Sequence, residues 1–236
     1  MFQGASAFNQ DIGGWDTSLV DSMESMFEYA TSFDQNIGGW NTSSLRFLRE
    51  TFFGASAFNQ DLSGWDTSNL LDAFRTFAWA TSFNGDIGAW NTSRVFSSLD
   101  MFYGAVAFNQ DIGSWDMSAN GQMDFMFDGA SAFNQDIGGW DTGNVQSMGY
   151  MFRNASSFNQ DISAWDTSSV WIFWDMFSGA TAFNYTLCWT IRGANVEFLP
   201  PIYNATCVDC LCASTSVPTF LPTPSPTPLP STLPTI

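Results

Sequence analysis

The stretch MFQGASAFNQDIGGWDTSLV, residues 1–20, decides the fold because its pattern returns every 25 residues along most of the chain. Seven full units and half of an eighth extend from Met1 to about Leu187. A unit of this length cannot bury an apolar face of its own, so the units must stack and share one core. One Trp marks each unit, without insertion or deletion, at Trp15, Trp40, Trp65, Trp90, Trp115, Trp140 and Trp165.

Each unit predicts one short strand followed by one short helix. In the first unit the strand is expected over residues 9–15, which carry Ile12 and a Gly pair at 13–14. The helix is expected to begin after residues 16–18, Asp-Thr-Ser, whose side chains suit a helix N-cap. Apolar residues then follow at near-helical spacing up to Ala30. We therefore expect an α/β solenoid of seven to eight coils over residues 1–187.

Several columns of equivalent residues are expected to be structural. The Phe column that begins at Phe8, the Ala column that begins at Ala5 and the Met-Phe pairs predict the core. The Asn column that begins at Asn9 predicts an inward ladder that ties loop amides between coils. The Trp column has two readings, since stacked indoles can line a sugar-binding face, but one large apolar residue per coil is typical of a core.

The pattern MFxGASAFNQDIxxWDTSxV resembles the 25 to 26-residue repeat of BspA-like leucine-rich-repeat surface proteins over residues 1–187. That resemblance implies a leucine-rich-repeat-like, right-handed stack in a cell-surface or secreted protein used for adhesion or partner contact. It implies no catalytic residues. Thr51 and Thr76 stand where Met is usual, and Met117 stands where Thr is usual, without changing the register.

Composition excludes several functions. Six basic residues against 23 acidic ones give a net charge of −17, which argues against a nucleic-acid partner. His is absent, so triads and most zinc sites lose their usual residue. Neither an apolar run of 18 residues nor a signal peptide is visible, so we expect no membrane span here and a fragment of a longer surface protein. We expect no enzyme activity, no cofactor and no metal.

Two columns of Asp or Asn have alternative interpretations. Side-chain oxygens in these columns are expected to accept backbone N–H bonds at turns and helix starts, where Asn serves about as well as Asp. Bound Ca²⁺ is the alternative, since it takes oxygen ligands. The two columns are Asp11, Asn36, Asp61, Asp86, Asp111, Asp136 and Asp161, and Asp16, Asn41, Asp66, Asn91, Asp116, Asp141 and Asp166.

Function is expected where the repeat varies, from the residue after each Asp-Thr-Ser cap to the residue after each Met-Phe pair. Aromatic and Arg side chains, which anchor many interfaces, concentrate there. The predicted partner-binding residues are Arg46, Arg49, Phe74, Arg75, Phe96, Tyr103, Phe125, Tyr150, Arg153, Trp171 and Trp174.

The end of the chain predicts two further parts. Residues 188–212 predict a cap in which Cys188, Cys207, Cys210 and Cys212 form two disulfides, with zinc as the weaker alternative. Residues 213–236, rich in Pro, Thr and Ser, predict a disordered stalk. Glycosylation is expected at Asn41, Asn91, Asn154 and Asn204, whereas Asn184 lies in the Asn column and is expected to be modified least.

Together these features predict an extracellular or cell-surface repeat scaffold, without catalysis, for adhesion or for protein or glycan binding. The alternative is a surface protein that binds Ca²⁺, a mineral or ice. An ice-binding face would use the Thr column, namely Thr17, Thr42, Thr67, Thr92, Thr142 and Thr167.

Overall fold

The computed structural model describes residues 1–187 and 189, all inside a compact unit, Met1–Thr206. These residues form no α-helix and no continuous strand. Their regular secondary structure is a series of single-residue parallel bridges, one per repeat, and turns make up much of the rest. The bridges join Ser22, Phe47, Asp72, Ser97, Gln122, Ser147 and Ile172 in that order. Since each bridge joins residues 25 apart, neighbouring repeats lie side by side in register.

Backbone hydrogen bonds hold the repeats together through alternate amides. Over residues 23–29 the N–H groups of Met23, Ser25, Phe27 and Tyr29 donate to carbonyls about one repeat further along the chain at 2.7 to 3.0 Å. Amides between them bond within their own repeat, as Ala30 does by donating to the Phe27 carbonyl at 2.9 Å. The same pattern recurs along the stack, so each repeat needs its neighbour to complete its hydrogen bonds.

This backbone differs from the predicted strand and helix. Ser25 and Tyr29 have φ angles of 52° and 54°, whereas every residue of a right-handed helix needs a negative φ. Their amides are also bonded to the next repeat rather than four residues back. The near-helical spacing therefore marks inward residues of successive turns. The bridge falls at residue 22, not within residues 9–15, and the leucine-rich-repeat-like solenoid itself stays a prediction.

Three aromatic columns fill the core. Phe27 and Phe33 stack within one repeat at 4.1 Å between ring centroids, and Phe27 stacks on Phe52 of the next repeat at 5.5 Å. Trp40 stacks on Trp65 at 6.5 Å with an 8° angle between the ring planes. The Ala, Phe and Trp columns are buried in the inner repeats, which confirms the core prediction.

The Trp column also carries a buried hydrogen bond in each repeat. Trp40 Nε1 donates to the Ile12 carbonyl at 3.1 Å, and the later members repeat this bond to the carbonyl 28 residues back. Trp189 continues the column although it follows Trp165 by 24 residues instead of 25. It stacks on Trp165 at 6.2 Å and donates to the Ile162 carbonyl at 3.2 Å. The sequence pattern ends after Phe183, but the Trp column does not.

Several predictions fall outside the described residues. These are the four Cys residues, Asn204, the stalk at 213–236 and, apart from Trp189, the cap at 188–212. A second unit, Cys207–Ile236, lies there as well. Within residues 1–187 and 189, no helix is long and apolar enough to cross a membrane.

Candidate partner-binding face

The bridges lie on one side of every repeat, which we call the variable face. Within this face Met23 and Phe27 are buried, whereas Glu24 and Tyr29 are exposed. The variable face consists of residues 21–29, 46–54, 71–79, 96–104, 121–129, 146–154 and 171–179.

Four of the predicted binding residues meet in one cluster. The Phe125 and Tyr150 rings stack at 4.7 Å with 12° between their planes, and Tyr103 meets Phe125 edge-on at 6.4 Å. The Arg153 guanidinium lies 4.7 Å from the Tyr150 ring centroid and 5.6 Å from that of Phe125. The arrangement combines a cation–π contact with a half-buried aromatic surface that spans three repeats.

A second cluster lies nearer the start of the chain. Phe74 lies close to two guanidinium groups, those of Arg49 and Arg75, each 4.8 Å from its ring centroid. Arg46 is exposed and lies 5.3 Å from the ring of its neighbour Phe47. The remaining predicted residues, Phe96, Trp171 and Trp174, have exposed side chains.

Three of the predicted Arg residues are bound to buried carboxylates of an adjacent repeat. Arg49 Nη1 lies 2.6 Å from Asp72 Oδ2, and Arg75 Nε lies 2.8 Å from Asp100 Oδ2. Arg153 donates to Asp128 Oδ2 from both Nε and Nη2, at 3.0 and 2.5 Å. The hydrogen bond with Asp128 raises the pKa of Arg153. These Arg side chains therefore join repeats as well as contributing to the surface, a role that the sequence analysis did not assign.

The carboxylates on this face are electrostatically connected. Burial raises the pKa of Asp100, against the opposing hydrogen bond and charge of Arg75, and the nearby charges of Asp124 and Asp128 raise it further. Asp124 Oδ1 accepts hydrogen bonds from Ser147 Oγ and, at 2.9 Å, from the Gly149 amide. The described residues contain no group of three or more His, Cys, Asp or Glu side chains with the geometry of a metal site.

Two exposed aromatic residues on this face were missed. Tyr29 and Trp79 lie one position beyond the stretch that was predicted to vary, and they are 49% and 46% exposed. Tyr29 contacts Phe53 edge-on at 5.0 Å, and Trp79 contacts Tyr103 in the same way at 5.1 Å. The available signal was that both occupy a column that is otherwise mostly Gly.

The two Asp/Asn columns accept turn hydrogen bonds, as predicted, although no helix follows. Asp11 Oδ1 accepts the Gly13 amide at 2.9 Å, and Asp16 Oδ1 accepts both the amide and the hydroxyl of Ser18 at 3.0 and 2.7 Å. Hydrogen bonds from a Ser two residues later lower the pKa of several members. These are Asp16, Asp61, Asp66, Asp116 and Asp161.

The Asn column ties neighbouring repeats but is not inward. Asn9 Oδ1 accepts the Asp34 amide and the Gln35 side-chain amide, both at 2.9 Å. Asp34 then accepts the Asn59 amide at 2.9 Å, and the ladder continues in this way. The hydrogen-bonding role is confirmed, whereas the buried position is wrong because the members are exposed or half-buried.

The Thr column is buried, which removes it as an ice-binding surface. Thr17 is 4% exposed, and its hydroxyl donates to the Asn41 carbonyl of the next repeat at 3.0 Å. Of the predicted glycosylation sites, Asn41 and Asn91 are exposed, and each Oδ1 accepts the hydroxyl of the Ser two residues later at 2.7 Å. Asn154 is exposed with a φ of 58°.

A family model described as "Mycoplasma protein of unknown function, DUF285" matches the chain twice, over residues 1–112 and 84–190. The two ranges overlap within the repeats, as expected where one pattern continues through the region. No curated protein matches the chain, and no solved structure matches it.

Proposed function

The chain belongs to the family described as "Mycoplasma protein of unknown function, DUF285", and from its repeats we propose an extracellular or cell-surface scaffold that binds a partner through the variable face. The scaffold is non-catalytic and holds no cofactor. Its fold is a solenoid of the leucine-rich-repeat kind, in which turns replace the helix of each coil, and its repeats are of the BspA-like type.

One observation carries this proposal: the residues that differ between repeats occupy a single continuous face. Elsewhere the columns repeat because each member fills the core or bonds to the next coil, as Phe83 and Asn59 do. On the variable face the stacking bonds come from the backbone, so the side chains are free to differ. A surface that varies in this way, with aromatic and Arg side chains, is typical of a recognition site.

The chemistry of the face supports binding rather than turnover. Its buried carboxylates are paired with guanidinium groups, as Asp72 is with Arg49 and Asp128 is with Arg153. A general acid or base needs a carboxyl group with a free path to a substrate proton. The absence of His from the sequence removes the commonest alternative.

The partners proposed are proteins or glycans outside the cell. Sequons at exposed Asn41 and Asn91, together with the Cys-containing and Pro-rich segments of the sequence, support an extracellular location. The charge of −17 favours partners that are neutral or basic.

The test measures binding of the purified chain to immobilised fibronectin, laminin, collagen and a panel of neutral glycans. We expect saturable binding to at least one probe, and we expect Phe96→Ser with Tyr150→Ser to weaken it by about tenfold or more. Asp86→Asn is the matched control, because it keeps a turn acceptor on another part of the repeat and Asn already occupies that column at residue 36. Binding to none of the probes, or binding that the face variant leaves intact, would overturn the proposal.

A further inference from the structure

One column of the repeat carries large residues where the backbone favours Gly. The column is left-handed throughout, and Gly occupies five of its eight positions with φ between 67° and 79°. Tyr29 and Trp79 hold φ angles of 54° and 57° at the same position. A left-handed conformation is unfavourable for a residue with a Cβ, and Asn or Asp, such as Asn154 here, adopts it more readily than other such residues. The backbone therefore does not explain the presence of Tyr and Trp.

Core packing does not explain these two residues either. About half of each side chain is exposed, at 49% and 46%. Among residues 1–187 and 189, the Tyr29 hydroxyl and Trp79 Nε1 have no hydrogen-bond partner, whereas the core Trp40 donates to a carbonyl. Phe125 and Tyr150 also have left-handed φ angles, but their rings are half-buried, whereas Tyr29 and Trp79 combine that strain with exposure. Strain combined with exposure of a large aromatic side chain is the pattern expected of a functional residue.

The same local arrangement occurs twice. A Cβ added to Gly54 would lie 2.6 Å from Tyr29 Cδ1, and one added to Gly104 would lie 2.8 Å from Trp79 Cδ2. Each aromatic ring therefore packs against the Gly of the following repeat. Each ring also meets the aromatic residue before that Gly at a steep angle, 71° for Phe53 and 68° for Tyr103. The same arrangement of two aromatic residues and one Gly therefore recurs two repeats later.

We propose that Tyr29 and Trp79 form a platform that binds an extended, neutral polysaccharide of β-1,4-linked pyranose units. This inference rests on the proposed function and specifies the ligand of part of the variable face. Parallel strands lie about 4.8 Å apart, and core Phe rings are separated by 5.5 Å at both steps between residues 27, 52 and 77, so positions two repeats apart along the stack are separated by about 10–11 Å. That separation is close to the length of two pyranose units in an extended chain. The apolar faces of alternate sugars can then stack on Tyr29 and Trp79, while the free hydroxyl and indole N–H bond to sugar hydroxyls.

The charges around the platform favour a neutral chain. Arg75 is the guanidinium in contact with Phe53, at 5.9 Å from its ring centroid, and it is held by Asp100 at 2.8 Å and by Glu50 at 3.4 Å. No free cation is therefore offered at this contact to a sulfate or carboxylate. The charge of −17 on the whole chain also repels an anionic polysaccharide.

The experiment titrates the full chain with cellohexaose and with chitohexaose by calorimetry, and it follows indole fluorescence in parallel. We expect one of these sugars to bind. We expect Trp79→Gly and Tyr29→Gly each to weaken binding on the order of tenfold or more, and the double variant to abolish it. Gly already occupies this position in five other repeats, so both variants are expected to fold. The melting temperature of each variant checks this expectation. Val106→Ala, at an exposed apolar residue outside the face, is the control.

The outcomes separate this inference from the broader proposal. No binding of either sugar at millimolar concentration, or binding that the two Gly variants leave unchanged, overturns the polysaccharide platform. Preferential binding of heparin overturns it as well. Binding of a proline-rich peptide that Trp79→Gly abolishes, with no binding of sugars, assigns the platform to a peptide and also overturns the inference. In that last case, loss of protein binding in the Phe96 and Tyr150 variant still supports a partner-binding face.

Discussion

Replacing Phe77 by Ala tests whether the aromatic columns make the stack one cooperative unit. Phe77 is fully buried and contacts four rings, namely Phe83 at 3.8 Å, Phe52 at 5.5 Å, Phe102 at 5.7 Å and Trp90 at 6.0 Å. Truncation of a buried Phe removes about 3–5 kcal/mol from the free energy of unfolding. Aromatic pairs add about 0.5–1.5 kcal/mol each beyond buried area, so we expect a loss near the upper end of that range.

Phe2→Ala is the variant against which the loss of unfolding free energy is compared. Phe2 belongs to the same column but is half-buried, and its ring contacts one neighbour in that column, Phe27 at 5.6 Å, whereas Phe77 contacts two. We expect that change to cost about 1–2 kcal/mol. Phe77→Leu, which keeps most of the volume, is expected to cost about 1 kcal/mol.

Urea unfolding, followed by both circular dichroism and Trp fluorescence, measures all three variants. Because each repeat completes its hydrogen bonds with its neighbours, Phe77→Ala is also expected to separate the two unfolding curves. A loss below about 1 kcal/mol, or a loss equal to that of Phe2→Ala, would refute the reasoning that the inner column couples the repeats.

Three further predictions concern solution conditions. Calcium is expected to raise the melting temperature no more than NaCl of equal ionic strength, because the carboxylates of both Asp columns already accept turn amides, as Asp86 does from Gly88; extra stabilisation by calcium alone would contradict this. Thiol titration of secreted material is expected to find no free thiol, since the four Cys residues are predicted to form two disulfides, and four free thiols or bound zinc would contradict it. Acidification is expected to destabilise the fold. Hydrogen bonds lower the pKa of five column Asp residues below 3.8. The contribution of these carboxylates to the stability of the fold is therefore present above that pH and is lost as the pH falls through the lowered pKa values. A variant with all five changed to Asn keeps the acceptors and should lose less stability below pH 3.8 in urea titrations, and identical pH profiles would refute the argument. These five residues are Asp16, Asp61, Asp66, Asp116 and Asp161.

The core and the turn acceptors could be predicted from sequence because each depends on residue type at a fixed period. A Phe such as Phe58 recurs every 25 residues only if stacked repeats bury it in the same place, and it is fully buried here. An Asp or Asn that precedes a small residue by two positions accepts its amide, as Asn36 does from Gly38 at 3.0 Å. Both inferences need only the spacing and the chemistry of one side chain.

The backbone path could not be predicted in the same way. Apolar residues at positions 20, 23, 27 and 30 fit a helix, but they fit equally a series of turns whose amides bond to the next repeat. The left-handed φ at residues such as Ser25 and Glu50 decides between these two backbone paths. The residue type does not predict it, because Ser and Glu rarely adopt this conformation. The position of the parallel bridge at Ser22 follows from those turns rather than from the β propensity of residues 9–15.

The candidate site was only partly predictable for a different reason. The Arg side chains were recognised as interface residues, but their partners are acids in other repeats, such as Asp72 for Arg49. Residues that lie 23 to 25 positions apart can be recognised as contacts only once the stacking of the repeats and its register are known. Tyr29 and Trp79 escaped notice because their significance lies in the Gly that the other repeats carry at that position.

Side chains on the variable face can differ between repeats, but the buried carboxylates among them need a charged partner, which the core columns do not. Its side chains differ from repeat to repeat because the stacking bonds there come from backbone amides, which any residue except Pro supplies. Buried charges are the exception, since Asp100 and Asp128 each depend on a guanidinium one repeat away. Removing that guanidinium leaves a buried carboxylate unpaired, which is strongly destabilising. Substitutions at these positions must therefore occur in pairs across neighbouring repeats, whereas exposed aromatic residues such as Trp79 can change singly and alter what the face recognises without altering the stack.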